Sequence, residues 1–239
     1  MRKPKIAVVI PAFNAERTIE KVLRQIPRKI VDEIIVVDDG SSDNTLSIIK
    51  KLDVKYQHHA KNRGYGGSQK TGYKYALKLG ADIIIMLHAD LQHDPKYIKD
   101  LIKPIINYSS DLVIGTRVKN IADAIKNHMP LYKVLANRTL STIANWILGI
   151  YLTEHHSGYR GFNRKVLSTI NLDKLSDDYI FDQQIIIASK VHNFRISQVL
   201  TSCIYHKDSS SVNLSSSFKY GFGVLSSLFW YIVDRKRFI

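Results

Sequence analysis

The chain has one cysteine, Cys203, among 239 residues. No intramolecular disulfide can form and no multi-cysteine zinc site can be built, which fits a reducing compartment. Proline is scarce at 6 residues and glycine stands at 12, so neither a collagen-like repeat nor a Pro/Gly-rich linker is present. Long apolar runs are missing too. Met1-Arg2-Lys3-Pro4-Lys5 is basic, but the apolar run after it covers only Ile6 to Ile10, too short for a signal-peptide core and suited to a strand. No stretch reaches the roughly 18 apolar residues of a membrane span. Phe218 to Val233 comes nearest, and Lys219, Gly221, Gly223, Ser226 and Ser227 interrupt it. Acids are the minority charge: 21 Asp+Glu against 35 Lys+Arg leave a formal net charge of +14. That balance points to an anionic partner, whether nucleotide phosphates, nucleic acid or an acidic membrane face, without choosing among them.

What is present is an ordinary globular composition, 45% hydrophobic, which excludes disorder and leaves ample chain for a core. Two periods alternate through the first half. Ile6–Ile10, Glu33–Val37, Asp82–Leu87 and Asp111–Gly115 read as buried strands, with a shorter one near Val54-Lys55-Tyr56. Between them lie helical stripes. Ile19, Val22, Leu23 and Ile26 form the first; Leu46, Ile49 and Leu52 the next, capped by Ser42 or Asp43; Tyr73, Ala76 and Leu77 a third, stopped by Gly80; Ile98, Leu101, Ile102 and Ile105 a fourth, kinked or ended by Pro104. Uniformly apolar strands alternating with helices predict an α/β fold, a mostly parallel sheet with helices on both faces. The second half is less regular: a helix over Leu131–Leu148, a polar glycine-containing loop over Glu154–Phe162, a helix over Gln183–Val191, and a final amphipathic stretch. No repeat or linker divides the chain, so the expected layout is one domain over 1–215 and a C-terminal amphipathic segment over 216–239.

In a wound sheet, ligands bind beyond the carboxyl ends of the strands, and polar clusters stand there: Pro11-Ala12-Phe13-Asn14, Asp38-Asp39-Gly40-Ser41, His88-Ala89-Asp90-Leu91-Gln92 and Thr116-Arg117. Paired carboxylates at Asp38 and Asp39 suit a ribose hydroxyl or a base N–H, and equally suit an Asp–Gly turn. The glycine loop Asn62–Ser68 before a helix could bring backbone N–H groups to a phosphate. It is neither G-x-G-x-x-G nor a Walker loop, and by itself it is more often a turn. Asp90 is a suitable oxygen ligand for Mg²⁺ or Mn²⁺. His88 and His93 raise a zinc reading that lacks third and fourth ligands. Asp94-Pro95 suits a helix start. His155–Phe162 gathers polar, aromatic and flexible residues of the kind that contact ligands, or forms a surface loop with a satisfied histidine pair. Asp177, Asp178 and Asp182 cluster before a helix, more acids than capping needs.

In this order and spacing, Ile10–Asn14, Val37–Ser41, Gly64-Tyr65-Gly66, Ala89–Pro95, Gly115-Thr116-Arg117 and Ser157–Arg160 resemble family 2 glycosyltransferases of the GT-A fold. The nearest likeness is to the polyprenyl-phosphate branch that includes dolichol-phosphate mannose synthases, and it covers roughly residues 5 to 215 by motif order. The resemblance implies a nucleoside-diphosphate sugar as donor, with Pro11, Ala12 and Asn14 bordering the nucleoside, Asp38 and Asp39 at the base or ribose, and Gly66 near the donor. It implies Asp90 as ligand of Mg²⁺ or Mn²⁺, with Gln92 beside it and His88 where the family usually has the first acid of Asp-x-Asp. Asp90, Gln92 and Asp182 are the expected catalytic group. Arg117, Arg138, Ser157 and Arg160 would face an anionic acceptor. His206 and Lys207 stand where polyprenyl-phosphate members often carry an arginine. The implied chemistry is inverting displacement onto a polyprenyl phosphate, which needs no base, or onto a hydroxyl of a polysaccharide or glycolipid precursor, which does.

A nucleotidyltransferase would share the sheet but needs a lysine-bearing glycine loop that is missing. A nucleic-acid-binding protein would explain the charge of +14, but no recognised module is present and the basic residues are dispersed. The expected location is cytoplasmic, with peripheral contact at the membrane face left open. Phe218–Ile239 is aromatic-rich with a basic end and suits either packing on the domain or an acidic bilayer surface.

Overall fold

The computed structural model describes residues 2–116, 131–203 and 214–239. The apolar runs become strands β1 (Ile6–Ala12), β2 (Glu33–Asp38), β3 (Lys55–His58), β4 (Ile83–Met86) and β5 (Leu112–Thr116). Two further strands, β6 (Arg160–Asn163) and β7 (Ile196–Leu200), complete a seven-stranded sheet of order β3-β2-β1-β4-β6-β5-β7. β1 runs parallel to β2 and β4, β2 parallel to β3, and β5 parallel to β7. β6 is inserted antiparallel between β4 and β5. The sheet is therefore mostly parallel, as expected, with one reversed strand.

Helices α1 (Ile19–Gln25), α2 (Thr45–Lys50), α3 (Tyr65–Lys78), α4 (Ile98–Ile106), α5 (Leu131–Leu148), α6 (Arg164–Thr169), α7 (Phe181–Val191) and α8 (Leu214–Val233) cover both faces. Alternate residues of β1 separate the two cores. Ala7 and Val9 pack with Tyr73 and Ala76 of α3 and with α5 to α8, while Ile6, Val8 and Ile10 pack with Ile19 and Val22 of α1, Ile49 of α2 and Ile98 and Leu101 of α4. This is the period-2 alternation of a strand buried on both sides. α3 sits so close to the sheet that a Cβ on Gly72 would lie 2.2 Å from Val9 Cγ1. The glycine is required by proximity, not by its backbone angles.

One feature differs from the sequence reading. Arg160–Asn163 reads as loop because Arg-Gly-Phe-Asn has no alternation, yet it is a strand, with Arg160, Gly161 and Phe162 buried between β4 and β5. Long-range pairing imposes its conformation, against a weak local preference. Pro104 lies inside α4, which continues two residues to Ile106 before the Pro104 carbonyl accepts N–H groups from Ser109 and Ser110. Gly80, at φ 79°, closes α3 as expected.

The carboxyl ends of β1 and β4 are where the strand order switches direction: β1 leads to β2 and β3 on one side, β4 on the other. That crevice is the expected ligand position in such a sheet.

Candidate active site

Ala12 at the end of β1 pairs with Asp38 at the end of β2. Past them, Pro11 leads to Asn14, which adopts φ 49°, a left-handed conformation asparagine tolerates. The Asn14 N–H donates to Ser41 Oγ at 2.9 Å, and Asn14 Oδ1 accepts the Ser42 N–H at 2.9 Å. The two loops bordering the crevice are thus stitched together by the side chains of Asn14 and Ser41. Asp38 is fully buried; its Oδ2 lies 2.8 Å from His58 Nδ1, and its Oδ1 has no hydrogen-bond partner. Asp39 Oδ1 lies 2.6 Å from His59 Nδ1 and accepts the Arg63 N–H at 2.9 Å, while Oδ2 accepts the Gly64 N–H at 3.0 Å. His59 reaches on to Thr71 Oγ1 at 2.9 Å. The carboxylate of Asp39 therefore anchors the glycine loop to β2. Each of its oxygens accepts a backbone N–H group in this role.

The glycine loop is also used internally. The Gly66 and Gly67 N–H groups donate to the Asp177 carbonyl at 2.7 and 3.1 Å. A Cβ on Gly66 would lie 2.6 Å from Ser176 O and 2.8 Å from Phe181 Cβ. Gly66 permits the close approach of residues 176–181 and does not present its N–H to a donor phosphate.

Beyond β4, Asp90 stands at the rim, half-exposed, with its Oδ1 accepting the N–H of Gln92 at 3.1 Å. The Gln92 side chain is buried. His88 Nε2 lies 2.9 Å from the Tyr65 hydroxyl, which in turn donates to Asp182 Oδ2 at 3.1 Å. Asp182 Oδ1 accepts from Gln69 Nε2 at 3.2 Å. Burial, reinforced by the Asp182 charge, pushes the Tyr65 hydroxyl well above its ordinary pKa, so it remains a proton donor. Tyr179 stacks on Tyr65 with centroids 5.1 Å apart, and its own pKa is raised by burial and then by Asp178 and Asp90. His88, Tyr65 and Asp182 thus form one chain from the β4 rim to the start of α7. A Cβ on Gly158 would lie 2.2 Å from the Tyr65 hydroxyl and 2.5 Å from His88 Nε2. Gly158→Ala is expected to displace that chain, lowering turnover more than stability, with about 1–3 kcal/mol of overpacking cost; initial rates beside urea melts check it.

Among the described residues no group of three or more His, Cys, Asp or Glu side chains could hold a metal ion. The described residues offer no closed cage. A hard cation such as Mg²⁺ or Mn²⁺ commonly binds through one or two carboxylates plus substrate phosphates and water. The half-exposed carboxylate of Asp90 at the strand end fits that arrangement. His88 is committed through Nε2 to Tyr65.

The acceptor-side residues separate. Arg160 is fully buried. Its guanidinium donates to the carbonyls of Ser157 at 2.7 Å, Asp182 at 2.6 Å and His155 at 3.0 Å, and stands 3.8 Å from Asp182 Oδ1. With those donors turned inward, Arg160 positions the 155–160 loop, and this replaces its expected contact with an acceptor. The Ser157 hydroxyl is buried next to it without a hydrogen-bond partner. Arg138 is exposed on α5. Arg117, His206 and Lys207 lie outside the described residues. His58, His59, Gln69 and Tyr179 were given no role in the sequence reading, and Tyr65 entered only within the Gly64-Tyr65-Gly66 motif. The first two could have been found from strand register, since His58 pairs with Asp38.

His155, fully buried, has its Nε2 2.8 Å from Asn145 Oδ1. Burial, then the Arg160 charge, lowers its pKa from 6.5 to about 4. The unfolded chain therefore takes the proton first. This contribution to stability is complete above about pH 6.5 and is lost at ~1.4 kcal/mol per unit as pH falls toward the folded value. Denaturant melts are expected to show a loss of about 2 kcal/mol between pH 7 and pH 5, absent in His155→Gln, which keeps a donor toward Asn145 without the titration.

Comparison with known proteins agrees with this geometry. Residues 7–170, more than half of the chain, match the model of the glycosyl transferase family 2. The chain is 36% identical over 217 residues to a UDP-N-acetylglucosamine–dolichyl-phosphate N-acetylglucosaminyltransferase of Methanococcus voltae, covering 84% of this chain and 86% of that protein. It is 26% identical over 182 residues to a polyprenol monophosphomannose synthase of Mycolicibacterium smegmatis, covering 73% and 68%. In three dimensions it resembles glucosyl-3-phosphoglycerate synthase of Mycobacterium tuberculosis, solved with Mn²⁺, UDP and glucosyl-3-phosphoglycerate. The TM-score is 0.73 at 20% identity, over 95% of this chain and 80% of that one. A motif-bearing rim on a GT-A sheet and a family match across most of the chain lead to one conclusion: the chain belongs to glycosyl transferase family 2 and is a glycosyltransferase.

Proposed function

We propose that the enzyme moves a sugar, with inversion, from a nucleoside-diphosphate sugar to a polyprenyl phosphate. The carrying observation is the engagement of Asp182. A hydroxyl acceptor needs a base poised to take its proton, and Asp182, the carboxylate expected beside the sugar, is buried with its oxygens accepting from Tyr65 and Gln69. The His88 Nε2 is likewise bonded to Tyr65. A phosphate acceptor arrives as an anion and needs neither. The relatives from Methanococcus voltae and Mycolicibacterium smegmatis, named for dolichyl-phosphate and polyprenol substrates, support the same class.

In this reading the donor lies across the crevice between the ends of β1 and β4. The Asn14 stitch and the Asp39 anchor hold the nucleoside side rigid, which lowers the ordering needed on binding. The Gln92 N–H fixes the Asp90 carboxylate toward the diphosphate. Mg²⁺ or Mn²⁺, when bound at Asp90, supplies positive charge against the departing diphosphate. An acceptor phosphate oxygen attacks the anomeric carbon. The new carbon–oxygen bond forms as the bond to the diphosphate oxygen breaks, and its electron pair leaves with the nucleoside diphosphate. No proton has to move. The loop held by Arg160 borders the face from which the acceptor approaches.

The test is a product assay with labelled UDP-, GDP- and dTDP-sugars and a short polyprenyl phosphate, beside the matching polyprenol. Transfer to the phosphate alone is expected. Transfer to the polyprenol at an equal rate would overturn the choice of acceptor.

A further inference from the structure

Tyr179 is the outer member of an aromatic stack built on the β4 rim. Its ring lies on that of Tyr65, with centroids 5.1 Å apart and planes 26° from parallel. Tyr65 is held in turn through its hydroxyl, 2.9 Å from His88 Nε2 and 3.1 Å from Asp182 Oδ2. Tyr179 remains 46% exposed, so with one ring face on Tyr65 the opposite face is open. A single exposed aromatic is ordinary on a protein surface, but this one is fixed in place. The Ser176 N–H donates to Gln184 Oε1 at 2.6 Å and the Asp178 N–H to Ser176 Oγ at 3.1 Å. The Phe181 N–H donates to the Asp178 carbonyl at 3.1 Å, and the Asp182 N–H to the Tyr179 carbonyl at 3.3 Å. The turn thus sets the ring before any ligand arrives, which lowers the ordering needed on binding. Burial, then Asp178 and then Asp90, raise the Tyr179 pKa; the phenol and the Asp90 carboxylate share one rim.

We propose that the open face of Tyr179 is the platform on which the sugar ring of the donor seats. The proposal rests on the reading of Asp90 as ligand of the cation that meets the donor diphosphate. The anomeric carbon is joined to that diphosphate through a single oxygen, so the sugar lies at the same rim as the cation. A pyranose carries a patch of C–H bonds on its ring face and hydroxyls around its edge. The patch covers an aromatic face, and the hydroxyls stay with water or polar groups. Tyrosine suits this contact because it offers a large flat apolar surface with few rotatable bonds to immobilise.

The platform makes Tyr179 a residue that senses the sugar and not the nucleotide. A purely structural Tyr179 would act differently. It would cover Tyr65, keep the Tyr65 contacts with His88 and Asp182 in place, and so affect nucleotide and sugar nucleotide alike. The two roles separate on the difference in affinity between a nucleoside diphosphate and its sugar ester, a comparison that needs no turnover and no acceptor.

The experiment is titration calorimetry of the whole chain with Mn²⁺, using UDP, GDP and dTDP beside UDP-glucose, UDP-N-acetylglucosamine, GDP-mannose and dTDP-glucose. The parent, Tyr179→Leu and Tyr179→Phe are compared. Leucine still covers Tyr65 but has no flat face; phenylalanine keeps the face and loses the hydroxyl. Tyr179→Leu is expected to bind the preferred sugar nucleotide about threefold to tenfold more weakly while its affinity for the matching diphosphate stays that of the parent. Tyr179→Phe is expected to match the parent for both. Equal weakening of diphosphate and sugar nucleotide in Tyr179→Leu would overturn the platform and leave Tyr179 a support for Tyr65. Unchanged affinities in Tyr179→Leu would overturn it too, as would a loss in Tyr179→Phe as large as in Tyr179→Leu, which would put the contact on the hydroxyl. In all three cases Mn²⁺-dependent nucleotide binding by the parent leaves the reading of Asp90 standing. A parent chain that binds none of these nucleotides would overturn that reading and the platform with it.

Discussion

Asp90→Asn is expected to lower glycosyl transfer by about 10²–10³-fold, the usual cost of removing one group that stabilises charge developing in a transition state. The residue sits part-buried beyond the end of β4, and its Oδ1 accepts the Gln92 N–H. An amide is nearly the same size and its oxygen can still accept that bond. The fold should therefore be preserved, with stability changed by no more than about 0.5 kcal/mol, as for surface substitutions away from buried features. What the amide lacks is the formal charge that a hard divalent cation requires of its oxygen ligand. Product formation with labelled donor, measured beside a urea melt, separates the two effects. A variant that keeps full activity would remove Asp90 from the metal role, and one that loses activity by unfolding would assign it a structural role.

Arg160→Met is expected to destabilise the protein by about 3–5 kcal/mol, a large share of the ~5–15 kcal/mol that holds a domain folded. The loss has two parts. Three carbonyls, of Ser157, Asp182 and His155, lose their donor. Asp182, nearly buried, loses the nearby cation and keeps only Tyr65 and Gln69. Methionine fills the apolar stem but supplies neither. Arg160→Lys restores the charge without the planar fork, so it is expected to recover only part of the loss. Urea denaturation of the three proteins at pH 7 measures it. A small loss in Arg160→Met would mean that water replaces the guanidinium and that the 155–160 loop holds itself.

How much of this was legible in the sequence depended on the range of the forces involved. The β1, β2, β4 and β5 runs and the helix stripes are local patterns of burial, and they appear where the periodicity placed them. The placing of polar clusters at the strand ends followed from the same logic, because a wound sheet presents its loops at one rim. β6 was read as loop since its strand character comes from β4 and β5, far away in sequence. Arg160 was assigned to an acceptor through the resemblance carried by Ser157–Arg160. Only the folded chain turns its guanidinium toward three carbonyls. The Asp38–His58 and Asp39–His59 pairs join residues 20 apart that meet only through parallel register. The glycine loop Asn62–Ser68 was read as a turn or a phosphate cradle, and the close approach of Ser176 and Phe181 to Gly66 is a use the sequence did not display. The C-terminal stretch was read as either packed or membrane-facing. The helix does pack through Val224, Leu228 and Tyr231, and it presents Phe218, Phe222 and Phe229 outward.

The central idea is that the β1–β4 crevice takes a nucleoside diphosphate through a cation on Asp90. The most direct measurement is the affinity for UDP, GDP and dTDP, by titration calorimetry with and without Mn²⁺, in the parent chain and in Asp90→Asn. One nucleotide should bind the parent more tightly when Mn²⁺ is present, and the variant should be indifferent to the ion. Equal dependence on Mn²⁺ in both proteins, or no nucleotide bound by either, would contradict it.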